Sequence, residues 1–161
     1  MLAPIFKKKR DILPLIDQWK KEGKKIVFTN GCFDLIHVGH IRLLKKAKEY
    51  GDVLVVALNT DDSIRRLKGE KRPILDEFQR GNIMASFEMV DAVVFFDEDT
   101  PEKILRLIKP HILVKGGDYK YEEIVGHDFI PSYGGKVISS IIVSGISTSK
   151  IIDKILSIYK K

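Results

Sequence analysis

The most informative part of this sequence is Asn30-Gly31-Cys32-Phe33-Asp34-Leu35-Ile36-His37-Val38-Gly39-His40. The apolar run 26–28 before it is typical of a short buried strand, and 41–48 after it has the apolar spacing of an amphipathic helix. His37 and His40 are therefore predicted to lie where a strand turns into a helix. In an α/β sheet, that is a place where phosphates bind.

The start of a helix suits a phosphate for two physical reasons. Its first backbone N–H groups have no partner within the helix, and the helix dipole favours negative charge there. Gly39 removes a side chain where a nucleotide backbone would come close. The imidazoles of His37 and His40 are suited to bind phosphate oxygens and to stabilise charge as phosphorus is attacked.

Three different roles for these side chains remain open. A His-x-x-His pair can bind a metal ion, although no acidic or Cys/His cluster at ligand spacing lies nearby in the sequence. His37 and His40 can also be structural groups whose hydrogen bonds are satisfied. Cys32 and His37 can be a thiol nucleophile and its base, although a small buried cysteine is the commoner case.

Composition narrows the class of protein. The chain has 161 residues with 44% hydrophobic and 31% charged side chains, which is enough for one globular domain. A single cysteine fits a reducing cytosol, and neither a signal peptide nor a membrane span is apparent, so a cytoplasmic protein without a membrane partner is expected. The net charge of +6 favours an anionic partner. Aromatic residues are not interleaved with basic ones, so a small phosphorylated substrate is favoured over nucleic acid.

The order of predicted elements favours an α/β fold. Strands are predicted at 25–29, 52–58, 92–96, 112–115 and 136–142, and helices at 37–50, 76–88, 101–108 and 147–159. A first helix within 9–21 begins near Leu13 because Pro14 interrupts the pattern. The alternation predicts a Rossmann-like, doubly wound, parallel sheet of five strands over 24–161, with 1–23 as a helical extension.

An acidic and a basic segment come after the second predicted strand. The carboxylates of 59–63 either cap the next turn or hold substrate hydroxyls or a metal ion. The basic segment 65–73 is predicted to be a loop. Taken alone it is a solvated surface, whereas at the carboxyl edge of the sheet it would clamp a triphosphate or a sugar phosphate.

The remaining two segments contain glycines and hydroxyls. In Leu113-Val114-Lys115-Gly116-Gly117-Asp118-Tyr119, two glycines would let the backbone lie against a planar ring, with Lys115 as a cation and Asp118 as an acceptor. Ser147 is predicted to cap the last helix, and with Thr148 it would also offer hydroxyls to the β- and γ-phosphates.

Together these motifs identify a family resemblance. The stretch 31–40 resembles the GxFDxxHxGH form of the HxGH nucleotidyltransferase superfamily. With Leu58-Asn59-Thr60-Asp61, Arg65-Arg66-Leu67-Lys68-Gly69, Asp99-Thr100-Pro101-Glu102, Val114-Lys115-Gly116-Gly117-Asp118-Tyr119 and the Ser-Thr helix start, it resembles heptose 1-phosphate adenylyltransferases of lipopolysaccharide precursor synthesis. The resemblance covers roughly 24–158.

The resemblance implies a reaction and a set of site residues. ATP and D-glycero-β-D-manno-heptose 1-phosphate would give ADP-heptose and pyrophosphate, with Mg²⁺ held by ATP and water rather than by protein ligands. The implied catalytic residues are His37, His40 and Lys68, and the implied acceptor-binding residues are Asp61 and Arg65. The implied nucleotide-binding residues are Asn30, Gly31, Cys32, Phe33, Asp34, Gly39, Arg72, Arg80, Lys115, Gly116, Asp118, Ser147 and Thr148.

One departure from the pattern keeps alternatives open. Relatives with cytidylyl activity carry an arginine just before the Ser-Thr start, where this chain has Val143-Ser144-Gly145-Ile146, so phosphate neutralisation would rest on 65–72. A CTP-dependent enzyme acting on glycerol 3-phosphate, or a binding module without activity, remains an alternative. A separate heptose kinase is expected, and a homodimer is compatible with the resemblance.

Overall fold

The computed structural model describes residues 2–117, 119–140 and 145–160. Its strands are β1 (Ile5–Phe6), β2 (Ile26–Gly31), β3 (Val53–Asn59), β4 (Ala92–Phe96), β5 (Ile112–Gly116) and β6 (Lys136–Ser140). Its helices are α1 (Leu13–Lys21), α2 (Val38–Lys48), α3 (Asp61–Lys68), α4 (Glu77–Ala85), α5 (Glu102–Ile108) and α6 (Thr148–Tyr159). Two short 3₁₀ turns, Tyr121–Glu123 and Pro131–Tyr133, lie between β5 and β6.

All strands belong to one parallel sheet with the order β1-β4-β3-β2-β5-β6. Helices cover both faces, since α1 and α5 contribute to one hydrophobic cluster and α2 and α4 to the other. Parallel neighbours need crossover connections, and the alternating helices supply them. The predicted α/β, doubly wound, Rossmann-like class is confirmed.

The sheet has six strands rather than the predicted five because β1 adds an edge strand. Ile5 and Phe6 pair with Val93 and Val94 of β4, and the N–H of Val93 donates to the carbonyl of Pro4 at 2.9 Å. Two residues are too few to show an alternating pattern, so this strand has no clear sequence signal.

Helix α1 packs on the sheet. Its start at Leu13 confirms the predicted effect of Pro14, and Ile16 and Trp19 are buried in the same cluster as Phe28 of β2. The division of the chain between residues 23 and 24 stays a prediction. None of the helices in the described part of the chain is long and apolar enough to cross a bilayer.

The predicted loop over 65–73 is partly wrong, because its first residues complete helix α3. The side chain of Thr60 caps this helix by accepting a hydrogen bond from the N–H of Ser63, and Gly69 ends it with φ +94°. Carboxylates in its first turn and cations in its last turn both match the helix dipole. Only the segment 69–76 connects α3 to α4.

Two further helix ends test predicted caps. Ser147 caps α6 as predicted, since its side chain accepts from the N–H of Lys150. At α5 the sequence also suggests a cap by Thr100, and this prediction is wrong, because the helix starts after Pro101 without a side-chain cap. The predicted end of the last strand at 141–142 and the departure at Val143-Ser144 lie outside the described residues.

The order of strands fixes where a ligand can bind. β3, β4 and β1 lie on one side of β2, whereas β5 and β6 lie on the other. In an open α/β sheet, ligands bind outside the carboxyl ends of the strands, where the chain switches direction across the sheet. The β2–α2 turn, which contains His37, lies at that position.

Candidate active site

A cavity of about 330 Å³, here called the first cavity, opens outside the carboxyl ends of β2 and β5. Its walls come from the β2–α2 turn, the last residue of α3, the segment after α3, the end of β5 and the start of α6. The predicted residues that line it are Asn30, Gly31, Cys32, Phe33, Asp34, His37, His40, Lys68, Arg72, Lys115, Gly116 and Thr148.

The two histidines are in contact with each other inside this cavity. His37 precedes α2 with extended backbone (φ −140°), and its ring stacks on that of His40 with centroids 3.8 Å apart. Phe33 supports the pair from 5.1 Å. Neither Nδ1 atom has a hydrogen-bond partner among the described residues, although both atoms are buried.

Burial keeps both rings neutral. Desolvation lowers the pKa of His37, and desolvation, with smaller electrostatic contributions from His37 and Lys68, lowers the pKa of His40 to about 4. At neutral pH each imidazole can therefore donate one hydrogen bond and accept another. A buried nitrogen without a hydrogen-bond partner costs free energy. A bound phosphate that forms hydrogen bonds with the imidazoles would reduce that cost.

Three cationic side chains line the first cavity: Lys68, Arg72 and Lys115. Desolvation lowers the pKa of Lys115, and nearby Lys68 lowers it further against the raising effect of Cys32. A cluster of partly buried cations favours an anionic ligand, because the ligand would offset the repulsion among them.

Asp34 fixes Arg72 at the cavity. Arg72 Nε donates to Asp34 Oδ2 at 2.9 Å, and the same carboxylate accepts from the N–H groups of Ile74 and Leu75 at 2.9 and 2.8 Å. Asp34 is buried with 1% of its side chain exposed. The carboxylate therefore joins the segment after α3 to the turn that contains the histidines, and it acts on the cavity through Arg72.

The start of α6 completes the wall. Gly145, Ile146 and Thr148 line the cavity, and the Thr148 hydroxyl donates to the carbonyl of Leu35 at 3.0 Å. Ser147 does not line the cavity, because its hydroxyl oxygen caps the helix. The backbone N–H groups at this helix start remain suited to an anion.

Arg80 is not an open phosphate anchor, contrary to the sequence-based expectation. Its side chain is completely buried, and it donates from Nε to Leu75 O, from Nη1 to Cys32 O and from Nη2 to Asp61 Oδ1, at 3.1, 2.9 and 2.7 Å. A buried guanidinium must find such acceptors, since an unpaired buried charge is very costly. Arg80 therefore supports the turn that follows β2 through its hydrogen bond to the carbonyl of Cys32.

The two expected acceptor-binding residues do not line the first cavity. Asp61 binds Arg80 and accepts from the N–H of Glu77, so its carboxylate joins α3 to α4. Arg65 is paired with Asp62 within α3. Gly39 is buried in the first turn of α2, and Asp118 lies outside the described residues.

A second cavity of about 330 Å³ adjoins the first. The two share Asn30, Gly31, Cys32, Lys68 and Lys115. Asn59, Asp99, Thr100, Tyr119 and Glu123 line only the second. Asn59, Asp99, Thr100 and Tyr119 belong to the motifs of the family resemblance, which gives them no site role, and Glu123 belongs to none of these motifs.

The described residues contain no group of three or more His, Cys, Asp or Glu side chains that could hold a metal ion. The first cavity instead offers cations and imidazoles, which suit phosphate oxygens. Magnesium usually keeps several waters and binds through substrate phosphates. These residues thus fit an ion that arrives with a nucleotide.

Comparison with known proteins identifies the family of this chain. A family model described as cytidylyltransferase-like matches residues 28–154. "Bifunctional protein HldE" of Geobacter metallireducens is 59% identical over 145 residues, which are 90% of this chain and 30% of that protein. The protein of the same name from Pelobacter propionicus is 52% identical over 153 residues, 94% of this chain and 31% of that protein. The chain thus spans less than a third of the length of these curated relatives.

Two solved structures are also similar to this chain. The lipopolysaccharide core biosynthesis protein of Thermoplasma volcanium aligns with a TM-score of 0.62 and 34% identity, over 75% of this chain and 98% of that chain. Pantoate-beta-alanine ligase of Francisella tularensis has a TM-score of 0.64 at 17% identity, over 99% of this chain and 80% of that chain, and shares the fold alone. The family resemblance drawn from the HxGH stretch is confirmed, and the chain belongs to the cytidylyltransferase-like family.

Proposed function

We propose that this chain transfers the adenylyl group of ATP to D-glycero-β-D-manno-heptose 1-phosphate, giving ADP-heptose and pyrophosphate for lipopolysaccharide core synthesis. The observation that carries the proposal is the first cavity, where two helix starts, a stacked histidine pair and three cations surround the end of β2. This arrangement suits a triphosphate better than any uncharged ligand.

The chemistry needs no covalent enzyme intermediate. An oxygen of the sugar phosphate attacks the α-phosphorus of ATP, and the bond from that phosphorus to the bridging oxygen breaks. Pyrophosphate leaves with the electron pair. Negative charge builds on the α-phosphate oxygens and on the leaving group, so catalysis depends on positioning and on charge stabilisation.

The residues of the first cavity would each contribute to positioning or charge stabilisation according to where they lie. Neutral His37 and His40 would donate hydrogen bonds to the α-phosphate and to the leaving pyrophosphate. Lys68, which lines both cavities, would neutralise the phosphates of donor and acceptor where they meet. Arg72, oriented by Asp34, would bind the triphosphate.

The start of α6 and the glycines after β5 would hold the rest of the nucleotide. The N–H groups near Thr148 suit the β- and γ-phosphates, and Gly116 lets the backbone approach a planar base. Magnesium, when bound to ATP, would neutralise phosphate charge, and no residue of the described chain is required to hold it.

The choice of acceptor is supported by relatives rather than by cavity chemistry. The relatives named HldE are 49–59% identical over most of this chain, and a solved relative is described as a lipopolysaccharide core biosynthesis protein. A cytoplasmic location, a homodimer and a kinase that supplies the sugar 1-phosphate form part of the same proposal.

Pyrophosphate release tests the proposal directly. Purified protein is assayed with heptose 1-β-phosphate or glycerol 3-phosphate as acceptor and with ATP or CTP as donor. We expect pyrophosphate release only when ATP and heptose 1-β-phosphate are supplied together. Release only with CTP or glycerol 3-phosphate would contradict the proposed substrates, and no release with any pair would contradict the proposed activity.

A further inference from the structure

The walls of the second cavity differ from those of the first. The first has imidazoles and an arginine of its own, whereas the residues found only in the second include no Lys, Arg or His. They include instead the oxygen-bearing side chains of Asn59, Asp99, Thr100 and Glu123. Carboxylates repel a second phosphate chain but accept hydrogen bonds from hydroxyl groups.

An apolar wall faces these oxygens. It consists of Leu67, Pro101, Tyr119, Ile124 and Val125. A pocket with apolar surface and a few convergent polar groups is the usual form of a small-ligand site. A sugar has the matching surface, since its C–H groups are apolar and its hydroxyls donate and accept hydrogen bonds.

Three of these oxygen-bearing side chains, those of Asn59, Asp99 and Glu123, have hydrogen-bond partners within the protein. Arg66 Nε donates to Asp99 Oδ1 at 2.9 Å, and the N–H of Lys120 donates to Glu123 Oε2 at 3.0 Å. Asn59 is buried at the end of β3, where its amide nitrogen donates to Ser63 Oγ at 3.0 Å. Each carboxylate retains further acceptor sites, because an ionised carboxylate accepts about four hydrogen bonds.

The boundary between the two cavities is cationic. Lys68 and Lys115 line both cavities, together with Asn30, Gly31 and Cys32. A phosphate attached to a sugar in the second cavity would therefore meet the α-phosphate of a nucleotide in the first cavity at these two lysines. That is the relative placement that direct transfer requires.

We propose that the second cavity binds the hydroxylated body of the acceptor sugar, and that Asp99, Thr100 and Glu123 determine which acceptor is used. This inference rests on the proposed function and replaces Asp61 and Arg65 as the acceptor-binding residues. The acceptor class is a cyclic sugar 1-phosphate, rather than a short polyol phosphate that would leave these three side chains without hydroxyl partners.

Conservative variants test the inference. E123Q and T100V remove a negative charge or a hydroxyl with little change of shape, and E122Q is the matched control in the same 3₁₀ turn, because Glu122 does not line the second cavity. Each variant is assayed for KM of the acceptor, KM of ATP, and the ratio of kcat/KM for heptose 1-phosphate over glycerol 3-phosphate.

We expect E123Q and T100V to raise the acceptor KM about tenfold and to lower the selectivity ratio by a similar factor, as the loss of a hydrogen bond to a sugar hydroxyl predicts. KM for ATP should stay within about twofold, and E122Q should match the unaltered protein. Unchanged acceptor kinetics, or a change confined to ATP, would overturn the inference.

Failure of the proposed function would look different. If the unaltered protein used another acceptor or donor, the substrate proposal would fail, and the second cavity would be judged by whether E123Q and T100V raise KM for the acceptor that works. If no pair reacted, calorimetric titration of heptose 1-phosphate into protein saturated with a non-hydrolysable ATP analogue would decide. Binding that E123Q weakens supports the subsite, and equal or absent binding overturns it.

Discussion

Arg72 and Arg80 support the same turn from two environments. Arg72 lines the first cavity and donates a hydrogen bond from Nε to Asp34. Arg80 is completely buried and donates from three nitrogens to Leu75, Cys32 and Asp61. An arginine whose nitrogens are all engaged by protein oxygens fixes a structure. An arginine at a cavity wall keeps donors for an anion. The environment, rather than the residue type, separates the two tasks.

The largest effect on stability is expected when the buried ion pair of Arg80 and Asp61 is broken. Arg80→Met should lower the free energy of unfolding by about 3 kcal/mol, because it leaves the carboxylate of Asp61 and the carbonyl of Cys32 without their donor. Urea unfolding measures this. Asp61→Asn keeps an oxygen for Arg80 but leaves the buried guanidinium without its counter-charge, so it should also cost about 3 kcal/mol. A stable Arg80→Met protein with lost ATP binding would instead support a role of Arg80 as a phosphate anchor.

On the cavity side, His40→Ala should lower kcat by about 10²–10³-fold, as the loss of a hydrogen-bond donor at a developing negative charge does in other enzymes. Its midpoint in urea should change little, since the ring contacts mainly His37 and Phe33 at the cavity wall. Arg42→Gln on the exposed side of α2 is the control. An unfolded variant would favour a structural histidine, and a fully active one would remove His40 from catalysis.

Burial of His40 at the first cavity should also make the stability of the protein depend on pH. The folded protein holds the pKa of His40 at about 4, below the ordinary 6.5. Since the unfolded chain binds the proton more readily, stability rises with pH between about 4 and 6.5 and the cost is fully present below 4. His40→Gln should remove roughly 2 kcal/mol of this dependence, after a discount for partial exposure. Urea unfolding of both proteins at pH 4.5 and 7 measures it, and parallel profiles would contradict it.

The smallest effect is expected for Arg72→Lys. It keeps a positive charge but loses the planar group that Asp34 orients, so KM for ATP should rise about tenfold and the free energy of unfolding should fall by about 1 kcal/mol. If Asp34 acts through Arg72, adding Asp34→Asn to Arg72→Lys should raise KM less than the two single changes predict. Additive effects would separate the two residues. Arg106→Lys, on the exposed face of α5, is the control.

The sequence predicts the elements whose signals are local. β4 has the predicted bounds, and the buried run of β3 and the position of the histidine turn are confirmed, because apolar runs and helix starts are visible in a few consecutive residues. α3 was hidden by its charges, although Thr60 and the acids after it form a clear helix start.

Features that depend on distant residues could not be predicted in this way. The burial of Arg80 depends on Asp61 and on the carbonyl of Cys32, which lie 19 and 48 residues away along the chain. The second cavity combines Asn59 from the end of β3 with Asp99 and Glu123 from two separate connections. No local sequence pattern predicts that these residues meet, whereas one recognisable turn supplies the histidines and the neighbouring residues of the first cavity.

The short first strand has a practical consequence for anyone who shortens or tags this protein. β1 covers one long side of β4, and the N–H of Ala3 also donates to the carbonyl of Ala85 at 3.0 Å. Deleting residues 1–8 would leave backbone donors and acceptors of β4 exposed beside Phe95, and such an unprotected sheet edge invites pairing between molecules. These few residues therefore guard against aggregation, and an affinity tag is better separated from them by a flexible spacer.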